Sequence, residues 1–480
     1  METLRVPARV ALLLLCLVAG IGAWLHTDLG FNTYYVDESG YLFAGARLLD
    51  GEQWHTRSYV FSSDLPLMLL ALAERGFGEL GARWLSLGAV YLAAWVLFRA
   101  LRVVQVSPVP AGVAALLVTL LPSHLLIGQL ATYDSLCFLA FAGMCYAGAQ
   151  MQRASTAADA LILGVSVAVC VFTKYIAVAF IPGLVLWLWF FHRSHLFYFL
   201  ISLGLPLAIY ISSDWQGLQM LYQNQLVGSH KANATLTYML QSMGVHLGAL
   251  LVGIVVLGLS AGVAKLRGSL SWQTALVGAA LVLPMPVYHL LTQDAIAIHK
   301  HMIYPATMLI LLAVWWFNKL PVRPVLAFGV SSLLVLVLIG QLLDFRERHR
   351  YAWPNSQAVQ TYLLHHVSPY SQLLSEDPYL LRHVLAERTA VENIYDTTWY
   401  DFDLDGFHRP DDVVRALEAG VFDFVYLDDM VTADLNDELR NGVLQQHYEL
   451  VQEQHHELSG LVTPSRVATQ SLYRRRADAS

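Results

Sequence analysis

Apolar runs recur along residues 1–343, divided by short polar breaks, whereas residues 344–480 alternate in the manner of a water-exposed chain. A helix rises about 1.5 Å per residue and the hydrocarbon core of a bilayer is about 30 Å thick, so a run of roughly 20 apolar residues is long enough to span it. Eleven candidate spans fall near residues 8–25, 80–98, 108–127, 132–150, 158–173, 175–192, 195–212, 241–264, 272–291, 302–318 and 324–343. The break at Thr173–Tyr175 is short, so the fifth and sixth spans read either as two helices or as one broken helix. The first run follows Arg5 and Arg9 without a small-residue cleavage site, and it reads as a retained helix.

The tail predicts a helix over 357–366, a strand over 372–375, a helix over 411–419 and a strand over 422–427. Alternating helix and strand implies a small α/β domain. The basic run 473–476 reads as a solvated tip. The predicted fold class is therefore an all-α polytopic membrane bundle of about eleven transmembrane helices with a small C-terminal α/β domain. Its expected parts are a membrane domain over 1–345, containing a long first loop over 26–79, and a soluble domain over 346–480. Within that loop, residues 38–49 read as a helix stopped by Gly51, and the apolar stretch 65–73 is too short to span.

Composition agrees: 56% of residues are hydrophobic and 14% charged, against about 25% charged in a soluble domain. The net charge of −7 argues against a nucleic-acid partner. All four cysteines fall in apolar runs, without the spacing of a metal site or a disulfide framework.

Loop charge gives an expected orientation. One set of loops carries Arg5, Arg9, Arg99, Arg102, Arg153, Arg193, Lys265, Arg267, Lys319 and Arg323, with Glu2 and Asp159 as their only acids. The opposite set carries Asp28, Asp37, Glu38, Asp50, Glu52, Asp64, Glu74, Glu79, Asp214 and Asp294. Basic loops stay in the cytoplasm, so the N-terminus is expected inside and, with eleven spans, the C-terminal domain outside. An even number of spans reverses the second expectation.

The outer side collects the chemistry-bearing residues. Asp37 and Glu38 follow the first span, Asp134 opens the fourth, Lys174 lies between the fifth and sixth, and His299-Lys300-His301 leads into the tenth. Ionisable groups at a bundle mouth are costly to desolvate and mark candidate functional sites. Each also has a plainer reading. Asp37 and Glu38 fit the charged start of a helix, Asp134 fits an N-cap, and Lys174 and His299–His301 fit interfacial anchors.

In order, these segments resemble the GT-C membrane glycosyltransferases, and within them the bacterial relatives of protein O-mannosyltransferases and the lipid A aminoarabinose transferase, a family 39-like group. The resemblance rests on Asp37-Glu-x-x-Tyr41 after the first span, Gly81-Ala-Arg-Trp84 at the second, Thr132-Tyr-Asp-Ser135 at the fourth, Phe172-Thr-Lys-Tyr175 at the sixth and Lys300-His-x-x-Tyr-Pro305 at the tenth. It covers about residues 1–345. Where many members carry Lys-Pro-Pro-Leu late in the first loop, this chain reads Ser63-Asp-Leu-Pro-Leu67 and lacks the lysine.

The resemblance implies transfer of a sugar, with inversion, from a polyprenyl-phosphate donor to an acceptor hydroxyl on a protein, lipid or glycan, at the outer face of a bacterial inner membrane. It makes Asp37 the general base and Asp134 the second acid, with Glu38 in support. Acceptor attack releases a proton that a carboxylate takes, and the departing phosphate gains charge that cations meet. Lys174, Lys300, His299, His301, Arg57 and Tyr41 are the expected donor-binding residues. The two histidines with a carboxylate also leave a divalent metal ion open. The rival reading is a transporter or flippase for a lipid or solute. It calls for matching halves and polar groups at mid-depth, and the sequence shows neither. A scaffold presenting the tail leaves Asp37, Asp134 and Lys174 without a purpose.

Overall fold

The computed structural model describes residues 19–52, 60–223, 235–261, 271–292, 297–320, 324–398, 400, 402, 409–430, 432–461 and 467–477. The first apolar run, 8–25, and Arg57 lie wholly or largely outside these residues. The described chain is mostly helical and divides into two compact units. One contains Met1–Leu29 and Ala44–Arg346, the other Gly30–Phe43 and Glu347–Ser480. The second unit thus takes fourteen residues of the first loop, among them Asp37 and Glu38.

The chain opens with α1 (Val36–Leu49), α2 (Asp64–Phe77), α3 (Glu79–Val103), α4 (Pro108–Thr119), α5 (Pro122–Gln129), α6 (Tyr133–Ala154), α7 (Ala157–Thr173), α8 (Ile181–Phe191) and α9 (Leu196–Ser213). It continues with α10 (Leu236–Ala261), α11 (Trp272–Val282), α12 (Pro284–Thr292), α13 (Ile298–His301), α14 (Ile303–Phe317) and α15 (Pro324–Arg350). Each span predicted from residue 80 onward falls on one of these helices or on a bent pair. Among the described residues five spans are long and apolar enough to cross a membrane alone, Leu80–Val103, Arg193–Ser213, Leu236–Leu259, Ile298–Phe317 and Val325–Arg350. Two further pairs qualify together, α4 with α5, bent by 62°, and α11 with α12, bent by 50°. Both bends have proline at the start of the second helix, where the ring cannot continue the preceding hydrogen-bond ladder.

Small residues bring the helices of this unit together. A Cβ on Gly164 of α7 would lie 2.0 Å from Ser202 Oγ and 2.6 Å from the carbonyl oxygen of Phe199, both on α9. Without a hydrophobic driving force between helices in lipid, close backbone approach at small residues supplies the packing. The break after α7 is real. Lys174 is extended (φ −156°, ψ 120°), and a 3₁₀ turn over Tyr175–Phe180 leads into α8.

In the second unit, α16 (Gln357–His366), α17 (Pro378–Val384), α18 (Pro410–Glu418) and α19 (Ala433–Asn441) accompany a five-stranded sheet. The strands are β1 (Leu373–Ser375), β2 (Ile394–Asp396), β3 (Phe424–Leu427), β4 (Tyr448–Glu457) and β5 (Val467–Arg475), in the order β2-β1-β3-β5-β4. β1 pairs in parallel with β2 and β3, and β5 runs antiparallel to β3 and β4. Side chains alternate between two cores. Leu374, Val425, Leu427 and Tyr473 pack with α18 and α19, whereas Leu373, Phe424, Tyr426 and Leu472 pack with α16 and α17. Both faces of β3 are covered, so all four of its residues are buried.

The basic run at the C-terminus belongs to a strand rather than a free tip, although Arg474 and Arg476 remain exposed. Residues 473–475 lie in β5, with Tyr473 buried, Arg474 paired with Glu449, and Arg475 Nη1 donating to the carbonyl of Gly420 at 2.5 Å.

Candidate active site

Within the first unit, three charged residues from three separate breaks converge. Asp134 is in the first turn of α6, Lys174 joins α7 to the 3₁₀ turn, and Lys300 lies in the one-turn helix α13. Lys174 Nζ donates to Asp134 Oδ1, and Lys300 Nζ lies 3.9 Å from Asp134 Oδ2. All three side chains are less than a tenth exposed. Two cations and one anion at such depth hold one another, because each is costly to desolvate alone.

Lys174 is also set by the late first loop. Ser63 N–H donates to the Phe172 carbonyl at 2.8 Å and Tyr175 N–H to the Phe61 carbonyl at 2.9 Å, a strand-like pairing on either side of the break. Tyr175 Oη adds a bond to the Ser62 carbonyl at 2.9 Å. The stretch before Asp64 is therefore bonded directly to the segment that carries Lys174.

Lys300 is set by histidines. His246 Nε2 and His299 Nδ1 are 2.9 Å apart, and Ser123 Oγ lies 2.8 Å from His246 Nδ1. His289 Nε2 and His301 Nδ1 are likewise 2.9 Å apart. All four rings are buried. Each imidazole pair shares one N–H, and the partners come from α10 and α12, so α13 is pinned on both sides of Lys300. Sequence reasoning picked out His299 and His301 but missed His246, His289 and Ser123. Their only signal is a polar residue inside an apolar run, where polarity is costly and therefore informative. Among the described residues no group of three or more His, Cys, Asp or Glu is arranged to hold a metal ion.

Aromatic packing surrounds the charged group. Phe141 and Phe180 each lie against Tyr304, with ring centroids 5.2 and 5.7 Å away, which ties α6 and the 3₁₀ turn before α8 to α14. Cys137 and Cys170 are free, with sulfurs 3.9 Å apart.

Asp37 and Glu38 occupy the first turn of α1, in the second unit. Asp37 is half-buried, whereas Glu38 is fully buried. Glu38 Oε2 accepts the Tyr35 N–H at 2.9 Å. Tyr41 is buried one turn further on. The loop before them is stitched to the start of the soluble region. Asn32 Nδ2 donates to the Trp353 carbonyl at 3.1 Å, Trp353 Nε1 to the Thr33 carbonyl at 3.2 Å, and Ser356 N–H to Thr33 Oγ1 at 3.2 Å.

The same unit holds a buried acid group, Glu376, Asp377 and Asp428. Glu376 is fully provided with donors: the N–H groups of Asp428, Asp429 and Thr432, and Asn436 Nδ2. Asp377 caps α17 through Leu380 N–H at 3.1 Å. Burial, opposed by that bond and reinforced by the charges of Asp396, Glu376 and Asp37, pushes its carboxyl up to about 7. Burial and the neighbouring Glu376 and Asp377 push Asp428 up as well.

No protein-family model and no curated protein matches this sequence. Solved structures do match its fold. ArnT from Cupriavidus metallidurans in the apo state superposes with a TM-score of 0.62 at 13% identity, over 98% of this chain and 99% of that one. The same enzyme bound to undecaprenyl phosphate gives 0.59 at 11% identity, over 98% of both chains. The chain has the GT-C fold. A third GT-C structure agrees: the Archaeoglobus fulgidus oligosaccharyltransferase, tethered to an acceptor peptide, matches with a TM-score of 0.55 at 10% identity, over 94% of this chain and 75% of that one. A GT-C fold built on these apolar helices is that of an integral membrane protein. At such identities the match carries the fold alone.

Proposed function

We propose that this protein is a membrane glycosyltransferase that moves a sugar from a polyprenyl-phosphate donor to an acceptor hydroxyl. The observation that carries the proposal is the convergence of Lys174 and Lys300 on Asp134 in a chain of GT-C fold. A leaving phosphate needs cations held in place before the bond breaks, and two buried lysines fixed by a carboxylate supply them. The binding of undecaprenyl phosphate by ArnT supports a lipid-linked donor here.

The assigned roles follow. Asp37 takes the acceptor proton as the acceptor oxygen bonds to the anomeric carbon, with inversion there. The bond from that carbon to the phosphate oxygen breaks, and the phosphate leaves with the electron pair toward Lys174 and Lys300. Asp134 positions both lysines. His299 and His301 hold the turn that carries Lys300. Glu38 shapes the start of α1, Tyr41 is assigned to the donor by resemblance, and Arg57 is assigned to it by its charge on the same side. The acceptor hydroxyl belongs to a protein, lipid or glycan. The charge pattern of the loops supports a cytoplasmic N-terminus in a bacterial inner membrane, with the C-terminal domain outside.

The test is transfer from radiolabelled polyprenyl-phosphate sugars by purified protein in lipid, comparing wild type with Asp37→Asn. Transfer that collapses in the folded variant supports both class and base. Transfer that survives keeps the class and moves the base elsewhere. Transfer from no donor overturns the proposal.

A further inference from the structure

The first unit contains a cavity of about 330 Å³ far from Asp134, within the size range of small-ligand pockets. It lies between the C-terminal halves of α3, α6, α8 and α14 and the face of α11. Its wall is apolar, with Leu184, Trp187, Leu281 and Leu312 prominent, and its polar lining residues include Gln152 and Lys319. On α6 its lining runs from Met144 to Gln152, which places it about 15–27 Å along the helix from Asp134 at about 1.5 Å per residue.

The helix ends around this cavity are strongly basic. Arg99, Arg102, Arg153, Arg193 and Lys319 are exposed there. Among the described residues of these ends the one acid is Asp159, and it is committed to the capping box of α7 with Thr156. Three of the cations sit over tryptophan rings. Lys319 Nζ is 3.5 Å from the Trp315 centroid, Arg193 4.4 Å from Trp189, and Arg99 5.6 Å from Trp95. Tryptophan settles at headgroup depth, so these contacts hold the cations where lipid phosphates lie. Gln152 is anchored at the rim through His192, whose Nε2 lies 3.4 Å from Gln152 Oε1.

An apolar slot with a cationic rim fits an amphiphile whose charge is at the rim. We propose that the cavity holds an acyl chain of an anionic phospholipid from the leaflet away from Asp134, with the headgroup phosphate at Lys319 and its neighbouring arginines. Basic pockets between membrane helices bind anionic headgroups by this combination of charge and chain burial. A polyprenyl donor tail has no charge at the end remote from its phosphate, and the basic rim gives it nothing to bind.

Native mass spectrometry of the full-length protein, titrated with phosphatidylglycerol or phosphatidylcholine of matched chains, tests this. Wild type is expected to retain phosphatidylglycerol preferentially. Gly148→Leu fills the slot, since a Cβ there meets nothing within 4 Å. It is expected to weaken phosphatidylglycerol binding about tenfold, as buried chain is displaced, and to leave undecaprenyl phosphate binding unchanged. Lys319→Gln changes an exposed side chain and is expected to lower the preference for phosphatidylglycerol roughly fivefold. Equal retention of the two lipids by wild type overturns the proposal, as does unchanged phosphatidylglycerol binding in both variants. Equal weakening of undecaprenyl phosphate by Gly148→Leu assigns the slot to the donor tail and also overturns it.

Discussion

Glu38 turns its Oε2 back to accept the backbone N–H of Tyr35 at 2.9 Å, and by doing so buries itself at the start of α1. The adjacent Asp37 stays half-exposed. Two neighbouring carboxylates thus differ in setting, one bonded within the backbone of the first turn and one half-exposed.

Replacing Glu38 therefore tests structure more than catalysis. Glu38→Ala leaves the Tyr35 N–H without its acceptor and is expected to cost about 0.5–2 kcal/mol. Glu38→Gln keeps an acceptor and should cost less. The midpoint of thermal unfolding in detergent reads the difference. A Glu38→Gln variant as inactive as Asp37→Asn would move the base to Glu38.

Lys300 is held by Asp134 more loosely than Lys174 is. Lys300→Ala is expected to lower transfer by about 10²–10³-fold with the fold intact, as for loss of one group that stabilises developing charge. Asp134→Asn leaves two buried ammonium groups beside a neutral amide. That variant is expected to lose about 3–5 kcal/mol of stability as well as activity. Parallel measurement of turnover and melting separates the two effects.

α7 and α9 approach closely at Gly164. Gly164→Val places methyl groups where Ser202 Oγ and the Phe199 carbonyl already lie, and overpacking of this kind costs about 1–3 kcal/mol or more. Gly204, on α9, has open space around its Cβ position, so Gly204→Ala is the control and should be neutral or slightly stabilising. Thermal stability of the two variants in the same detergent checks the contrast.

Asp377 gives a pH dependence. Its carboxyl is pushed up to about 7 in the folded chain, above the ordinary value near 4 for an unfolded aspartate. Between those values the folded state holds a proton that the unfolded state has lost. The stability contribution is therefore complete below about pH 4, falls as pH rises, and is gone above about 7. Melting of the wild type is expected to weaken from pH 5 to pH 7.5. Asp377→Asn, which cannot ionise, should flatten that slope, and an unchanged slope would assign the effect to Asp428.

The sequence by itself carried the apolar helices from residue 80 onward and the charged residues that meet at Asp134. A spanning helix meets lipid or other apolar helices on every face, so a run of twenty apolar residues is visible without knowing its neighbours. Asp134, Lys174 and Lys300 stood out because charge is rare and costly at such positions. The strands β1 and β3 were legible as apolar runs. β2, with three residues, and β4 and β5, which are rich in polar residues, were not, and the arginines of β5 looked like a free tip.

Tertiary structure alone decided which polar residues meet. No spacing rule links Ser123, His246 and His299, or His289 and His301, because their hydrogen bonds depend on how separate helices rotate and cross. It alone also divided Asp37 from Glu38, since which of two adjacent acids turns inward depends on the first-turn backbone it can reach. A periodic hydrophobic pattern fixes what each segment buries, but pairing between segments is set by packing.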